Sequence, residues 1–234
     1  MLDAIIFDVD GTLVDSVDLH ARAWREALAH FGVELAYPEV RLQIGKGADQ
    51  LLPALVPEDR LEEIAGPLAA FRARLYREAY LPQVVAYPAV RRLVARLRGD
   101  GKRIGLASPA EEGELGHYVR VAAIEGLYDA ATSAGDADRA RWPDVVQGAL
   151  AKLGTPPERC RVVGDTPFEA SAAVRAGVVP VGVLCGGFPP ELLRRAGCVA
   201  LHRDPAALLA AYERHGDAAF AAEEAEEEEL LETP

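Results

Sequence analysis

Short apolar segments alternate with amphipathic helical segments along most of this chain of 234 residues. The apolar segments are candidate strands, which we place at residues 4–7, 104–107, 130–132, 162–163, 178–183 and 198–201. The helical segments begin with proline, which suits a first helical turn, and we place them at residues 88–98, 143–153, 167–176, 189–196 and 205–212. This alternation predicts an α/β fold with a doubly wound, Rossmann-like parallel sheet.

Residues 17–83 interrupt the alternation, because their pattern is helical throughout. Leu19, Trp24 and Leu28, for example, lie on one helical stripe. A structureless loop of this size is improbable in a compact domain. We therefore predict an inserted α-helical cap at 17–83, an α/β core at 1–16 and 84–213, and an acidic C-terminal tail at 214–234.

The formal net charge of −12 comes largely from the C-terminus, because residues 217–234 contain eight acids and no base. The remainder is only mildly acidic and has no basic stripe, which argues against nucleic acid as a partner. No apolar run reaches the ~20 residues that cross a bilayer, and no signal peptide is recognisable. Three cysteines without a C-x-x-C pair favour neither a disulfide framework nor a zinc site. We expect a cytoplasmic monomer or homodimer with no membrane partner.

The sequence Asp8-Val9-Asp10-Gly11-Thr12 follows the first candidate strand directly. Ligands of doubly wound sheets bind at the carboxyl ends of strands. Two carboxylates placed there, two residues apart, suit a nucleophile and a proton shuttle. Asp10 before Gly11 could also be a simple turn former.

A second motif, Gly164-Asp165-Thr166-Pro167-Phe168-Glu169, also follows a candidate strand. Thr166, Pro167 and Glu169 have the spacing of a capping box. Asp165 precedes the cap and is not explained by it. Mg²⁺ binds one or two carboxylates together with phosphate and water, and Asp8 with Asp165 would supply these if their strands are neighbours. We count Glu169 among the candidate metal ligands as well.

Ser108 directly follows the candidate strand at 104–107, and Ser108, Pro109 and Glu111 have the spacing of another capping box. A helix N-terminus at a strand end is itself an anion site. Ser108 could therefore cap a helix, bind phosphate or do both.

Taken together, these motifs resemble the haloacid dehalogenase-like hydrolases of the phosphoglycolate phosphatase and β-phosphoglucomutase type. The resemblance rests on residues 8–16, on Ser108 and on residues 164–167, and Gly186-Gly187-Phe188 is similar to a late loop of that family. It implies a phosphatase that acts on a small phosphorylated metabolite through an aspartyl-phosphate intermediate.

The resemblance also implies roles for individual residues. Asp8 would be the nucleophile and Asp10 the general acid/base. Magnesium would bind Asp8, the Asp10 carbonyl and Asp165. Gly11, Thr12 and Ser108 would bind the phosphate, and residues 17–83 would be the cap.

The chain departs from the family at a lysine expected just before Pro143-Asp144. An ungapped match places Ala140 there, and a loop shortened by one residue places Arg141 there. Arg141 could bind phosphate in place of the lysine, although arginine is not its geometric equivalent. Arg139 is the other candidate, and both arginines could instead lie on the surface.

Two residues of the predicted cap are candidates for substrate contact. His20 lies one turn into the first cap helix, where it could face the site or be a packed or solvated histidine. Lys46 lies in Ile44-Gly45-Lys46-Gly47, whose glycines allow close backbone approach to a ligand. Lys46 could meet an anionic substrate or simply be exposed.

Two other functions remain open from the sequence. A sugar-phosphate mutase is one, although Ala48 stands where mutase relatives carry an arginine. A catalytically weak phosphate-binding or scaffold protein is the other, because the motif lysine is replaced. The presence of Asp8, Asp10 and Asp165 together argues against it.

Overall fold

The computed structural model describes residues 1–133 and 142–222. Six parallel strands of the described residues form one sheet. They are β1 (Ala4–Asp8), β4 (Arg103–Ala107), β5 (Ala130–Thr132), β6 (Cys160–Gly164), β7 (Val179–Val183) and β8 (Leu201–His202). Their order in the sheet is β5-β4-β1-β6-β7-β8. The α/β doubly wound parallel sheet predicted from the sequence is therefore confirmed.

Helices cover both faces of this sheet. They are α5 (Val90–Gly99), α6 (Glu112–Val121), α7 (Trp142–Leu153), α8 (Pro167–Arg175), α9 (Pro190–Arg195) and α10 (Pro205–His215). Alternate residues of β1 face opposite sides: Ile5 and Phe7 join the apolar cluster that contains α5 and α10 residues. Ala4 and Ile6 join the cluster formed with α7 and α8. Burial on both faces explains why β1 is apolar from Ala4 to Phe7.

The segment 17–83 contains four α-helices, α1 (Val17–His30), α2 (Tyr37–Arg41), α3 (Ala48–Leu55) and α4 (Glu58–Leu75). A π-helical turn and a 3₁₀ turn follow at Tyr76–Tyr80 and Leu81–Gln83. These helices share an apolar cluster that includes Trp24, Leu28 and Leu68. The described residues of this segment contain no strand, and a short antiparallel ribbon of β2 (Val14–Asp15) and β3 (Val85–Ala86) joins the two ends of the segment.

The packed part of the chain extends further toward the C-terminus than the sequence suggested. The tail is predicted to begin at residue 214, but a 3₁₀ turn spans Gly216–Phe220 and Phe220 is fully buried. Asp217 accepts a hydrogen bond from the Leu2 backbone and pairs with Lys102 at 2.6 Å. The packed body therefore extends to Phe220, and the acid-rich residues 223–234 lie outside the described part of the chain.

Two local predictions differ from the structure. The last strand is Leu201–His202 rather than 198–201, because the Cys198 backbone donates to the Leu193 carbonyl and closes the turn after α9. The sequence indicated a possible helix start at Ser108 but did not predict helix α6 at Glu112–Val121. Its glycines weaken the helical signal, and it is formed by packing of Leu115, Tyr118 and Val119. No helix among residues 1–133 and 142–222 has the length and apolarity to cross a bilayer.

Candidate active site

The carboxyl end of β1 is the meeting point of the predicted site residues. β1 lies between β4 and β6, with Asp8 opposite Ala107 and Phe7 opposite Val163. Ser108 directly follows Ala107, and Asp165 follows the strand β6. The strand order therefore places Asp8, Ser108 and Asp165 at one edge of the sheet, although they are distant in the sequence.

Asp8, Asp165 and Glu169 form a buried acidic trio, in which one carboxylate oxygen of each residue lies within 4.8 Å of the others. All three side chains are no more than 1% exposed. Both carboxylate oxygens of Asp8 and Oδ2 of Asp165 are buried without a hydrogen-bond donor in the described part of the chain. Buried carboxylates without donors need a proton or a cation. Hard oxygen ligands at this spacing fit a divalent cation such as Mg²⁺.

The burial and mutual repulsion of the three carboxyl groups also change their pKa values. Burial raises the pKa of Asp8 well above its ordinary value, and the charges of Glu169, Asp165 and Asp10 raise it further. Burial likewise raises the pKa of Asp165 to about 7, although a hydrogen bond from Thr12 opposes the rise. The pKa of Glu169 is raised by burial and by the charge of Asp165. A bound cation would reduce the repulsion between these carboxylates, which contributes to the raised pKa values.

Glycines make room for these carboxylates. A Cβ at Gly186 would lie 1.6 Å from Oδ2 of Asp165, and a Cβ at Gly11 would lie 2.5 Å from the same atom. Gly11 also has a φ of +82°, which disfavours other residues. A Cβ at Gly164 would lie 2.1 Å from the carboxylate of Glu169. The two carboxylates thus occupy space that only glycine leaves free.

The capping box at the start of α8 is confirmed. The Thr166 hydroxyl accepts from the backbone of Phe168 and Glu169, and Glu169 accepts from the Thr166 backbone and hydroxyl. Glu169 thus takes part in capping the start of α8, and its carboxylate also faces Asp8 and Asp165. Thr12 has a comparable supporting role, because its buried hydroxyl donates to Oδ1 of Asp165 at 3.2 Å.

Asp10 is held by several donors instead of being left free. Ser16 donates to Oδ1 at 2.7 Å, and Nε2 of His20 lies 2.9 Å from the same oxygen. The Ser108 hydroxyl lies 3.5 Å from Oδ2. Burial alone would raise the pKa of Asp10, but His20 and Ser16 hold it below its ordinary value. Asp10 therefore has a different environment from Asp8, two residues away.

Ser108 does not form the predicted capping box, and that prediction is wrong. α6 begins later, at Glu112, and Glu111 pairs with Arg77 at 2.9 Å instead of turning back to Ser108. The fully buried Ser108 hydroxyl accepts from the Ala110 backbone at 3.1 Å. The turn after β4 leaves this hydroxyl next to Asp10.

His20 faces the site, and residues on α4, on the π-helical turn that follows it and on α6 hold it there. Arg72 donates to its Nδ1, and the Tyr76 ring stacks on it at 4.0 Å between centroids. The Tyr118 hydroxyl lies 3.2 Å from Nε2 and 2.7 Å from the Tyr76 hydroxyl. Burial lowers the pKa of His20, and the charge of Arg72 lowers it further against the opposing effect of Asp10. His20 is thus a buried, bonded histidine that links the helical segment to Asp10.

A cavity of about 320 Å³ opens over these groups, between the sheet edge and the segment 17–83. Its polar lining consists of Asp8, Asp10, His20, Lys46, Arg72, Glu111, Glu114, Asp165, Thr166 and Glu169. Its apolar lining includes Val17, Trp24 and Leu51. The cavity has room for a small ligand above the acidic trio.

Lys46 reaches this cavity beside the start of α8. Its ammonium group donates to the side chain of Gln43 and lies 5.4 Å from the Phe168 ring centroid. The neighbouring Gly45 approaches Thr166 so closely that a Cβ would lie 2.8 Å away. This loop therefore packs closely against the strand end that carries Asp165.

Sequence reasoning missed Arg72 and Glu114, both of which line the cavity. Arg72 lies on the same helical stripe as Leu68 and Tyr76, but periodicity alone could not show which residue it contacts. Glu114 lies on the unpredicted helix α6. Arg141 and Arg139, the candidates for the missing lysine, lie outside the described residues.

Comparison with known proteins adds independent findings. A family model described as haloacid dehalogenase-like hydrolase matches residues 5–183. A phosphoglycolate phosphatase of Rhodospirillum rubrum is 30% identical over 222 residues, covering 89% of this chain and 90% of that protein. A phosphoglycolate phosphatase of Aquifex aeolicus is 29% identical over 78% of this chain and 84% of that protein. The crystal structure of a hydrolase from Pseudomonas syringae superposes with a TM-score of 0.83 and 28% identity, covering 91% of this chain and 99% of that one.

Proposed function

The chain belongs to the haloacid dehalogenase-like hydrolase family, and on this premise we propose that it is a magnesium-dependent phosphatase for a small phosphorylated metabolite. The observation that carries the proposal is the buried trio of Asp8, Asp165 and Glu169, which lines a cavity together with Asp10. Both carboxylate oxygens of Asp8 and Oδ2 of Asp165 have no hydrogen-bond donor among the described residues. The names of the two phosphoglycolate phosphatases support the same reaction class.

Asp8 is the proposed nucleophile. Its carboxylate oxygen attacks the phosphorus, an aspartyl-phosphate bond forms, and the bond to the ester oxygen breaks. The leaving oxygen takes a proton from Asp10. A water then attacks the phosphorus and gives a proton to Asp10, and cleavage of the aspartyl-phosphate restores Asp8.

Asp8, the Asp10 carbonyl, Asp165 and Glu169 would hold the magnesium. The ion, when bound, offsets the charge of the carboxylates and the phosphate and orients the phosphoryl group. Ser16 and His20 hold the Asp10 carboxylate in place. These hydrogen bonds orient the carboxyl group that gives a proton to the leaving oxygen and takes one from the attacking water.

The remaining candidates complete the proposal. Ser108 and Lys46 would bind the phosphate, and Arg141 would supply a further cation there. Gly11 and Thr12 would contribute by shaping the motif loop, since Thr12 is bonded to Asp165. The segment 17–83 would act as a cap that excludes bulk water from the cavity.

The test is phosphate release from a panel of small phosphate esters, measured with magnesium and with a chelator. We expect magnesium-dependent hydrolysis that the chelator abolishes and that added magnesium restores. Hydrolysis that is unaffected by the chelator would contradict the metal assignment. Transfer of the phosphoryl group within a sugar phosphate, without phosphate release, would instead favour a mutase.

A further inference from the structure

Tyr76 and Tyr118 form a buried pair of hydroxyl groups where the segment 17–83 meets the α/β core. Tyr76 begins the π-helical turn that follows α4, and Tyr118 lies on α6. Both side chains are fully buried, and their hydroxyl oxygens are 2.7 Å apart. Neither tyrosine is among the described residues that line the cavity. The pair therefore lies behind the cavity wall and has no direct contact with a ligand there.

The direction of the hydrogen bond within this pair follows from its surroundings. Of two hydroxyl groups in contact, one donates and the other accepts. Among the described residues, the Tyr118 hydroxyl is the only hydrogen-bond partner of the Tyr76 hydroxyl. A buried hydroxyl that donates to nothing costs free energy, so Tyr76 donates to Tyr118. The proton of Tyr118 is then left for another acceptor.

Asp10 is the acceptor for the Tyr118 proton. The Tyr118 hydroxyl also lies 3.2 Å from Nε2 of His20. That nitrogen carries the ring proton, because Arg72 donates to Nδ1, and it therefore cannot accept. Burial raises the pKa of Asp10, but the charge of His20 and side-chain hydrogen bonds, one of them from Tyr118, lower it below its ordinary value. The hydrogen bonds thus run from Tyr76 to Tyr118 and on to Asp10.

Tyr118 approaches Asp10 from a different element than the other strong donors do. Ser16 is the N-cap residue of α1 and His20 lies within α1, and both bond Oδ1 of Asp10. Tyr118 adds a donor from α6, whose ring is fixed by packing in the apolar cluster of the core. A carboxyl group held from two elements has less rotational freedom, and a general acid depends on its distance and angle to the leaving oxygen.

We infer that Tyr118 is a positioning residue, whose hydroxyl, directed by Tyr76, holds the Asp10 carboxyl group where it can give a proton to the leaving oxygen. This inference rests on the proposed function. Because Tyr118 acts through Asp10, its effect follows the need of the leaving group for a proton. An alkoxide needs that proton, whereas p-nitrophenolate is stable enough to leave without it.

The test compares alkyl esters with p-nitrophenyl phosphate for the full chain with magnesium. The alkyl ester is the one that the wild type hydrolyses best among 2-phosphoglycolate, glycerol 1-phosphate, glucose 6-phosphate and ethyl phosphate. The variant Tyr118→Phe keeps the ring and removes the hydroxyl. We expect its kcat/KM for the alkyl ester to fall by about tenfold or more, since a positioned acid contributes about 100- to 10,000-fold. Its kcat/KM for p-nitrophenyl phosphate should fall by less than about threefold.

Two further variants separate positioning from packing. Tyr76→Phe leaves the Tyr118 hydroxyl in place and removes only the group that directs it, so the selective loss on the alkyl ester should be smaller. Tyr212→Phe is the control, because Tyr212 is a buried tyrosine of the same apolar cluster whose hydroxyl bonds Asp100. It should leave kcat/KM for both esters unchanged.

Three outcomes would overturn the inference. In the first, folded Tyr118→Phe lowers kcat/KM for both esters by the same factor, as general damage to packing would, or lowers neither. In the second, the loss on the alkyl ester is greater for Tyr76→Phe than for Tyr118→Phe, which reverses the direction of the hydrogen bonds. If Tyr118→Phe does not fold, an equal loss on both esters in Tyr76→Phe has the same consequence. In the third, the wild type with magnesium hydrolyses none of these esters, which overturns the proposed function as well.

Discussion

His20 donates a hydrogen bond from Nε2 to Oδ1 of Asp10 over 2.9 Å. Its direction follows from the opposite side of the ring, where the guanidinium of Arg72 contacts Nδ1. A guanidinium can only donate, so Nδ1 must accept and Nε2 carries the proton of the neutral ring. Arg72 therefore fixes the tautomer that orients Asp10.

The variant His20→Ala should lower kcat by about 10–100-fold with a smaller effect on KM, because Asp10 loses a donor that positions it. His20→Asn can still donate to Asp10 and should recover part of the loss. Steady-state kinetics over a range of pH measures both effects. The variant His30→Ala, at the far end of α1, is the control. Equal kinetics for His20→Ala and the wild type would contradict a positioning role.

Asp8→Asn should abolish turnover, by at least about a thousandfold, because the amide is not a nucleophile. It should also raise the free energy of unfolding without metal at pH 8 by about 1–3 kcal/mol, because one repelling carboxylate is removed from the buried trio. Phosphate release and denaturant titration measure the two effects. The control Asp59→Asn, an exposed change at the start of α4, should change neither turnover nor the free energy of unfolding. Retention of a tenth of the wild-type rate would exclude Asp8 as the nucleophile.

Magnesium should raise the melting temperature of the wild type, because it binds the folded acidic trio. Asp165→Ala should remove this rise more completely than Glu169→Ala, since the carboxylate of Glu169 is shared with the Thr166 cap. Thermal unfolding at increasing magnesium concentration measures the difference. If both variants lose the magnesium-induced rise in melting temperature equally, Glu169 contributes as much to magnesium binding as Asp165.

Gly186→Ala should weaken magnesium binding by about tenfold or more, because its Cβ would lie 1.6 Å from Oδ2 of Asp165 and must displace that carboxylate. Gly113→Ala is the matched control, since a Cβ there meets nothing within 4 Å. Calorimetric titration with magnesium compares the two variants. Wild-type affinity in Gly186→Ala would show that Asp165 is not needed in its present position.

Glu114 should make stability fall as pH rises. Its pKa is about 7 in the folded protein and near 4.5 when exposed, so the folded state binds the extra proton between these values. The destabilisation is complete above pH 7 and absent below about pH 4.5. Glu114→Gln should therefore gain about 1–3 kcal/mol relative to the wild type at pH 8 compared with pH 5. Denaturant unfolding at both pH values measures this gain, and Glu112→Gln should show no such dependence.

Features that depend on neighbouring residues could be predicted from the amino-acid sequence. The apolar run before Asp8, the strand before Asp165 and the capping box of Thr166 and Glu169 are set within one strand or one helical turn. Local patterns of this kind also separated the helical segment 17–83 from the alternating part of the chain. The family resemblance of the two motifs followed from the same short stretches.

Which of these stretches come into contact could not be predicted from the sequence and is known from the three-dimensional fold. The position of β1 between β4 and β6 brings Asp8 to Asp165, and local preferences carry no information on strand order. Arg72 reaches His20 across 52 positions, and Glu114 reaches the cavity on a helix whose own sequence signal is weak. The physical reason is that such contacts arise from packing between distant segments, where burial and charge balance, rather than backbone preference, select the partners.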